Sequence, residues 1–440
     1  MPKCYNLHNI YKESRAMKIK RTNKSYSEVK NLPKGTHKLP VKPNFFMKKL
    51  VNVIGKSELK KVGFSYTRVD MDRAGDGPWL ILMNHSSFID LSIASEILYP
   101  RPYNIVCTSD GFIGKEWLMR QIGCIPTQKF VTDLKLISDM QYAAEHGSSI
   151  LLYPEASYSF DGTATKLPRR MGVLFKRLGI PVVMITTYGA FALDPLYNNL
   201  QKRDVKVTAE IKCLFSKEDY KTKSTAELDE ILDQAFDFDY FKWQKDNNVI
   251  VDEPFRADGL HRLLYKCPAC KAEGKTEGKG ITLTCHSCGK IYELDELGQM
   301  KAADGNTEYP HIPDWYKWER ECVRDEVVNG TYSLDADVEI GMIVDFKSVY
   351  MVGTGKLHHD GNGFTLKGCD GQLEYSQGPL TCYSLYADYY WYEIGDIICI
   401  GDKDCLYYCF VKPGVNVAKA RIATEEIYKY TRETRKTQKS

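Results

Sequence analysis

In the run Asn84-His85-Ser86-Ser87-Phe88-Ile89-Asp90, a histidine and an aspartate stand close together directly after an apolar stretch, Trp79-Leu80-Ile81-Leu82-Met83. The stretch reads as a buried strand. A helix starting at Ser86 or Ser87, with Phe88, Leu91, Ile93 and Ile97 on its apolar side, would carry Asp90 about one turn in. From there the carboxylate can turn back onto His85. A carboxylate on one imidazole nitrogen sets the tautomer and leaves the other nitrogen free to take a proton. It also stabilises the imidazolium that results. Such a pair can deprotonate an alcohol as it attacks a thioester. The same residues suit a plainer role, in which Ser87 and Asp90 cap the helix and answer its dipole. One carboxylate can do both.

A second constellation is Cys267-Pro268-Ala269-Cys270 followed by Cys285-His286-Ser287-Cys288-Gly289, two Cys-x2-Cys pairs with fourteen residues between them. Cysteine pairs on two tight turns bring four sulfurs around one ion, the pattern of a zinc ribbon. Four thiolates leave no open coordination position, so Zn2+ there is expected to be structural. A redox dithiol pair is the alternative. His286 and the pair His358-His359 read as turn residues rather than ligands. Gly353-Thr354-Gly355-Lys356 lacks the earlier glycine and the following hydroxyl residue of a phosphate loop.

Around these residues the elements fall into regimes. From 44 to 245, apolar runs (79–83, 103–107, 149–153 and 181–185) alternate with helical periodicity. That pattern predicts an α/β layer domain with a largely parallel sheet. The zinc ribbon occupies 262–297, and the polar stretch Lys301–Asn306 reads as a linker. A helix near Trp315–Val328 opens a β-rich region, 313–440. Its turns fall at Asp360-Gly361-Asn362-Gly363, Cys369-Asp370-Gly371 and Gly401-Asp402. A helix ends it, giving the element order of a pleckstrin-homology-like barrel.

With 440 residues, two or three such domains are expected. A net charge of +3 is too small to imply polyanion binding, and no nucleic-acid partner is expected. The positive charge is concentrated at the start: residues 1–50 hold thirteen Lys and Arg, Lys18, Lys20, Arg21, Lys24, Lys48 and Lys49 among them, against Glu13 and Glu28. The segment 1–43 reads as a basic, partly disordered arm that an anionic membrane surface would attract. No apolar run is long enough to span a bilayer, and no secretory signal is evident. Cysteine usage fits a reducing cytoplasm. The expected setting is cytoplasmic, peripherally associated with the membrane.

Four blocks in order resemble the glycerolipid acyltransferase family. Asn84–Asp90 is similar to its His-x4-Asp motif. Tyr153-Pro154-Glu155-Ala156-Ser157-Tyr158-Ser159 resembles its Phe-Pro-Glu-Gly-Thr-Arg-Ser block. Gly123-Cys124-Ile125-Pro126-Thr127-Gln128-Lys129 and Gly179-Ile180-Pro181-Val182-Val183 match the other two more loosely. The resemblance implies that His85 is the general base, Asp90 its orienting partner and Lys129 a contact to the acceptor phosphate. Glu155 would shape the acceptor site, with Ser157, Lys166 and Arg169 as further candidate contacts. It implies transfer of a fatty acyl group from acyl-CoA or acyl carrier protein to a lysophospholipid hydroxyl. The closest specific reaction converts 1-acyl-sn-glycerol-3-phosphate to phosphatidate. Glycerol 3-phosphate, another lysolipid, or a non-catalytic lipid-binding scaffold are the alternatives. Two departures stand out: Ala156 replaces the family's glycine and Tyr158 its arginine.

Overall fold

The run 79–83 is apolar throughout because both of its faces are covered. The computed structural model describes residues 19–33, 35–130, 133–402 and 404–437, and makes Leu80–Met83 a fully buried strand. Ile81 and Met83 pack with Ile93, Ile97, Leu151 and Val183. Leu80 and Leu82 pack with Met140, Ile150, Phe175 and Val182. Alternate strand residues point to opposite faces, so a two-sided core requires an unbroken apolar run.

The first eight strands are β1 Arg21–Asn23, β2 Ser65–Val69, β3 Leu80–Met83, β4 Tyr103–Thr108, β5 Cys124–Thr127, β6 Ser149–Leu152, β7 Val182–Tyr188 and β8 Thr208–Phe215. Seven of them form one sheet in the order β2-β8-β7-β3-β6-β4-β5. From β7 to β5 every pairing is parallel. β8 lies antiparallel to β7, and β2 is parallel to β8. Helices Phe45–Lys61 and Asp90–Leu98 cover one face of the sheet. Helices Leu134–Glu145, Met171–Leu178 and Thr225–Ala235 cover the other.

The helix expected from Ser86 or Ser87 begins at Asp90 instead. A turn precedes it, closed by the Asp90 N–H donating to the Ser87 carbonyl at 3.3 Å. Asp90 is therefore the first helical residue.

Past the α/β sheet, β9 Thr276–Lys279, β10 Thr282–Cys285, β11 Ile291–Leu294 and β12 Met300–Ala302 form a four-stranded antiparallel sheet around the cysteine pairs. β12 takes up Lys301 and Ala302, which the composition had assigned to a linker. Helix Ile312–Val328 docks on this sheet through Trp315, whose ring meets Tyr292 edge-on at 4.9 Å and whose Nε1 donates to the Lys266 carbonyl.

The remaining strands are β13 Leu334–Met342, β14 Val349–Asp360, β15 Gly363–Gly368, β16 Leu373–Gln377, β17 Tyr386–Trp391, β18 Gly395–Gly401 and β19 Leu406–Val411. They pair in the order β16-β15-β14-β13-β19-β18-β17, and helix Val417–Thr437 follows. β16 and β17 end the order, with no ladder between them among the described residues. The pairing by itself does not make the sheet a pleckstrin-homology-like barrel. His358 and His359 lie within β14 rather than in a turn.

The basic arm is also partly structured. β1 adds to β14 in parallel, and Tyr26 and Val29 of the helix Tyr26–Lys30 are buried. Residues 1–18 of that arm, Lys18 included, lie outside the described residues. One buried cluster unites Tyr26, Phe160, Phe191, Tyr240, Tyr292, Trp315, Ile340, Tyr389 and Ile427. A single core thus runs from the arm through the α/β region and the cysteine sheet to the last helix.

Candidate active site

His85 follows β3, Glu155 follows β6, Asp110 follows β4 and Lys129 follows β5. These are the carboxyl ends of parallel strands, where α/β sheets bind ligands. The His85 Nδ1 lies 2.9 Å from Asp90 Oδ2. The same oxygen accepts the backbone N–H groups of Ser86 at 3.1 Å and Ser87 at 3.3 Å. Asp90 is 1 % exposed and is thereby fixed to its own loop. With Nδ1 occupied, the chemistry falls to Nε2.

Two tyrosine rings hold the imidazole plane. Tyr158 stacks on His85 at a centroid distance of 3.8 Å and Tyr153 at 4.1 Å. Burial pushes both phenols well above their ordinary range, so they remain neutral hydroxyls.

Glu155 ties the two loops together. Its Oε2 accepts the His85 backbone N–H at 3.0 Å, and its Oε1 accepts the Thr165 N–H at 2.7 Å and hydroxyl at 3.2 Å. The His85 carbonyl in turn accepts the Ser159 N–H at 3.1 Å. Burial lifts the Glu155 carboxyl to about 7, against the pull of those donors.

Beneath the histidine loop, the Ser87 hydroxyl donates to Asp194 at 2.5 Å and accepts the Ile89 N–H at 3.2 Å. Burial raises the Asp194 carboxyl to about 7. Asn84 anchors the loop to the end of β7 by accepting the Thr187 N–H at 2.8 Å.

Ala156 has a φ of +56°, in the left-handed region. That conformation explains why the family block carries glycine there, and an alanine costs about 1–2 kcal/mol in it. The turn persists because Glu155 and Ser159 fasten it on both sides.

The sequence-derived candidates separate in space. His85, Asp90 and Glu155 form one constellation. Ser157 is fully buried close by, its hydroxyl without a hydrogen-bond partner among the described residues. Lys129 instead meets Asp388 of β17 at 3.5 Å and lies 4.1 Å from the Tyr386 ring centroid. Lys166 is half-buried, and burial and the neighbouring cations Lys429 and Arg169 depress its pKa. Arg169 is exposed. No hydrogen bond joins Lys129, Lys166 or Arg169 to His85 or Asp90 among the described residues. Thr165, Asp194 and Asp388 were missed; only Thr165, ten residues from Glu155, lay within range of a local pattern.

The four cysteine sulfurs lie within 4.8 Å of one another, with Cys267 and Cys288 at 3.8 Å and Cys270 and Cys285 at 3.7 Å. A tetrahedron of thiolates at the usual metal–sulfur distance has edges of about 3.8 Å. The cluster therefore fits a tetrahedral metal ion.

This geometry sets a half-buried His85 against a buried Asp90 at the carboxyl end of a parallel sheet, and residues 50–187, which contain the pair, match the family model described as Acyltransferase. The match spans the α/β segment that holds His85, Asp90 and Glu155. Among solved structures the chain is similar to the 1-acyl-sn-glycerophosphate (LPA) acyltransferase PlsC from Thermotoga maritima. The identity is 14%, covering 43% of this chain and 78% of the other, with a TM-score of 0.34. Comparison with curated proteins gives no match.

Glu155 yields a stability prediction. Its folded pKa of about 7 lies above the ordinary 4.5. Its stabilising contribution is therefore full below pH 4.5 and is lost as pH rises through about 7. Glu155→Gln cannot ionise. The melting temperature of the unaltered protein relative to this variant should fall steadily across that window in scanning fluorimetry. A constant difference would contradict the assigned ionisation.

Proposed function

We propose that the chain transfers a fatty acyl group from an acyl thioester, acyl-CoA or acyl carrier protein, to the free hydroxyl of a lysophospholipid. 1-Acyl-sn-glycerol-3-phosphate, which would give phosphatidate, is the simplest such acceptor. The observation that carries this reading is the 2.9 Å contact of His85 Nδ1 with Asp90 inside the matched segment. His85 Nε2 takes the acceptor proton as the hydroxyl oxygen attacks the thioester carbonyl, and Asp90 stabilises the imidazolium. Collapse of the tetrahedral intermediate breaks the carbon–sulfur bond, and the imidazolium returns the proton to the departing thiolate. An ester and a free thiol result, with no acyl-enzyme.

We further propose that the enzyme works at the cytoplasmic face of an anionic membrane. No helix among the described residues is long and apolar enough to cross one. The helix Phe45–Lys61 leaves Phe46, Leu50, Val53 and Ile54 exposed along one face, with the exposed Lys49 and Lys60 beside them. It packs on the catalytic helix, where the Asn52 amide donates to the Ser95 carbonyl, and Phe88 of the histidine loop is exposed as well. An apolar face flanked by lysines suits the headgroup boundary. The cysteine cluster we assign to structural Zn2+, with Cys267, Cys270, Cys285 and Cys288 as its ligands. The ion would contribute folding free energy to a small sheet that buries little on its own.

Thiol release gives the central test. His85→Ala should lower turnover by roughly 10²–10⁴-fold with the fold retained, as loss of a general base does. Asp90→Asn should also be severe. Near-normal turnover in folded His85→Ala protein would sink the mechanism.

For the membrane face, the double change Phe46→Ser and Ile54→Ser should weaken co-sedimentation with anionic vesicles by roughly ten-fold or more, given the apolar area lost. Equal binding by both proteins would remove that face from consideration.

The purified protein should carry about one zinc per chain, and Cys267→Ser or Cys285→Ser should lose it. Full metal content in both variants would refute the assignment.

A further inference from the structure

β17 covers the end of the sheet edge formed by β4 and β5. The Tyr386 hydroxyl and the Trp391 Nε1 donate to Asp110 Oδ2 at 2.8 and 3.0 Å. The Tyr383 ring meets Phe130 edge-on at 5.5 Å. From the last helix, Arg421 lies over Phe160 at 4.7 Å and donates to the Tyr158 carbonyl at 3.5 Å. The C-terminal region thus packs as a wall against the loops that carry Lys129 and Tyr158, the latter stacked on His85. That wall brings Asp388 to Lys129.

We propose that Lys129 and Asp388 form a recognition pair for a zwitterionic acceptor head group, a phosphodiester bearing an ammonium, and select it over a phosphate monoester. This rests on the acyl-transfer reading above and narrows its acceptor.

The pair is not closed on itself. Its separation of 3.5 Å exceeds the roughly 2.7–2.9 Å of a tight ammonium–carboxylate bond. Asp388 is 6 % exposed, yet its Oδ1 has no hydrogen-bond partner among the described residues. A buried carboxylate oxygen left bare calls for a donor. An ammonium supplies that donor to Oδ1, while the adjoining phosphodiester oxygen takes Lys129. The two opposite charges of the head group then match two opposite charges of the wall. A phosphate monoester carries roughly −1.5 to −2 charge at neutral pH. It would find Lys129 already neutralised and Asp388 repelling it. Position 158, where the family has arginine, supplies only a tyrosine. Arg421, the next cation on this wall, is turned toward Glu425 at 3.6 Å and the Tyr158 carbonyl.

Steady-state thiol release by the full-length protein tests this with three acceptors of one acyl chain: lysophosphatidylethanolamine, lysophosphatidate and lysophosphatidylglycerol. The unaltered enzyme should favour the ethanolamine acceptor by roughly ten-fold or more in kcat/KM, about the worth of one charge-assisted hydrogen bond. The glycerol diester, which lacks the ammonium, should behave as the monoester does. Asp388→Asn should raise the KM for the ethanolamine acceptor and lower it for lysophosphatidate, with the donor KM unchanged. Because that variant leaves a buried lysine alone, Lys129→Met/Asp388→Leu replaces the pair by apolar side chains and should level the three acceptors. A preference of the unaltered enzyme for lysophosphatidate, or equal KM changes for all acceptors in both variants, would overturn the inference. Absence of thiol release with every acceptor would overturn the acyl-transfer reading, and the inference with it.

Discussion

The site depends on one buried carboxylate hydrogen-bonded by uncharged donors. Glu155 receives the His85 backbone N–H on one oxygen and Thr165 on the other, and so holds two loops from different strands at a fixed separation. The neighbours of the imidazole sit on the two loops that Glu155 joins. The turn at Ala156 is held in a left-handed conformation, Tyr153 and Tyr158 are brought onto the two faces of the ring, and the histidine loop is set so that Asp90 meets Nδ1. Burying such a group is costly unless its lone pairs are filled, and three donors fill them here. Positional constraint on the base and electrostatic strain on Glu155 are two sides of the same arrangement.

The parts of the molecule legible from sequence are those set by local spacing. His85 and Asp90 are five residues apart, and the cysteine pairs repeat a short motif, so both could be read directly. The central strands were legible because burial on two faces forces unbroken apolar runs. The start of the helix that carries Asp90 was misread for a physical reason. Asp90 satisfies the N–H groups of Ser86 and Ser87 with its side chain, which stabilises a turn where periodicity suggested helix. Asp194 and Asp388 were out of reach because their partners lie 107 and 259 residues away. No pattern in a single chain marks a contact at that range. Lys129 illustrates the limit: its position was identified, while the carboxylate it meets came from another sheet.

Composition divided the chain into modules, whereas the buried side chains join them. Trp315 serves the cysteine sheet and the helix that carries it, and Arg320 of the same helix pairs with Glu425 of the last helix at 2.6 Å. Glu425 also accepts the Ser384 hydroxyl just before β17. Support for this wall therefore runs from the cysteine sheet through two helices to the strand that bears Asp388.

The strand β1 has a consequence for how the molecule assembles. Its ladder to β14 joins residues near the start of the chain to residues far along it, and 328 residues separate Lys20 from its partner Ser348. Closing so long a loop costs more chain entropy than any local pairing, although the cost grows only logarithmically with length. Pairings of this span form after shorter-range ones have already compacted the intervening chain. The parallel sheet that carries His85 is local by comparison, and its nucleation need not wait for β14. Folding is thus expected to run from the parallel sheet outward, and β1 is fastened among the last steps, as a seam closed over structure already in place.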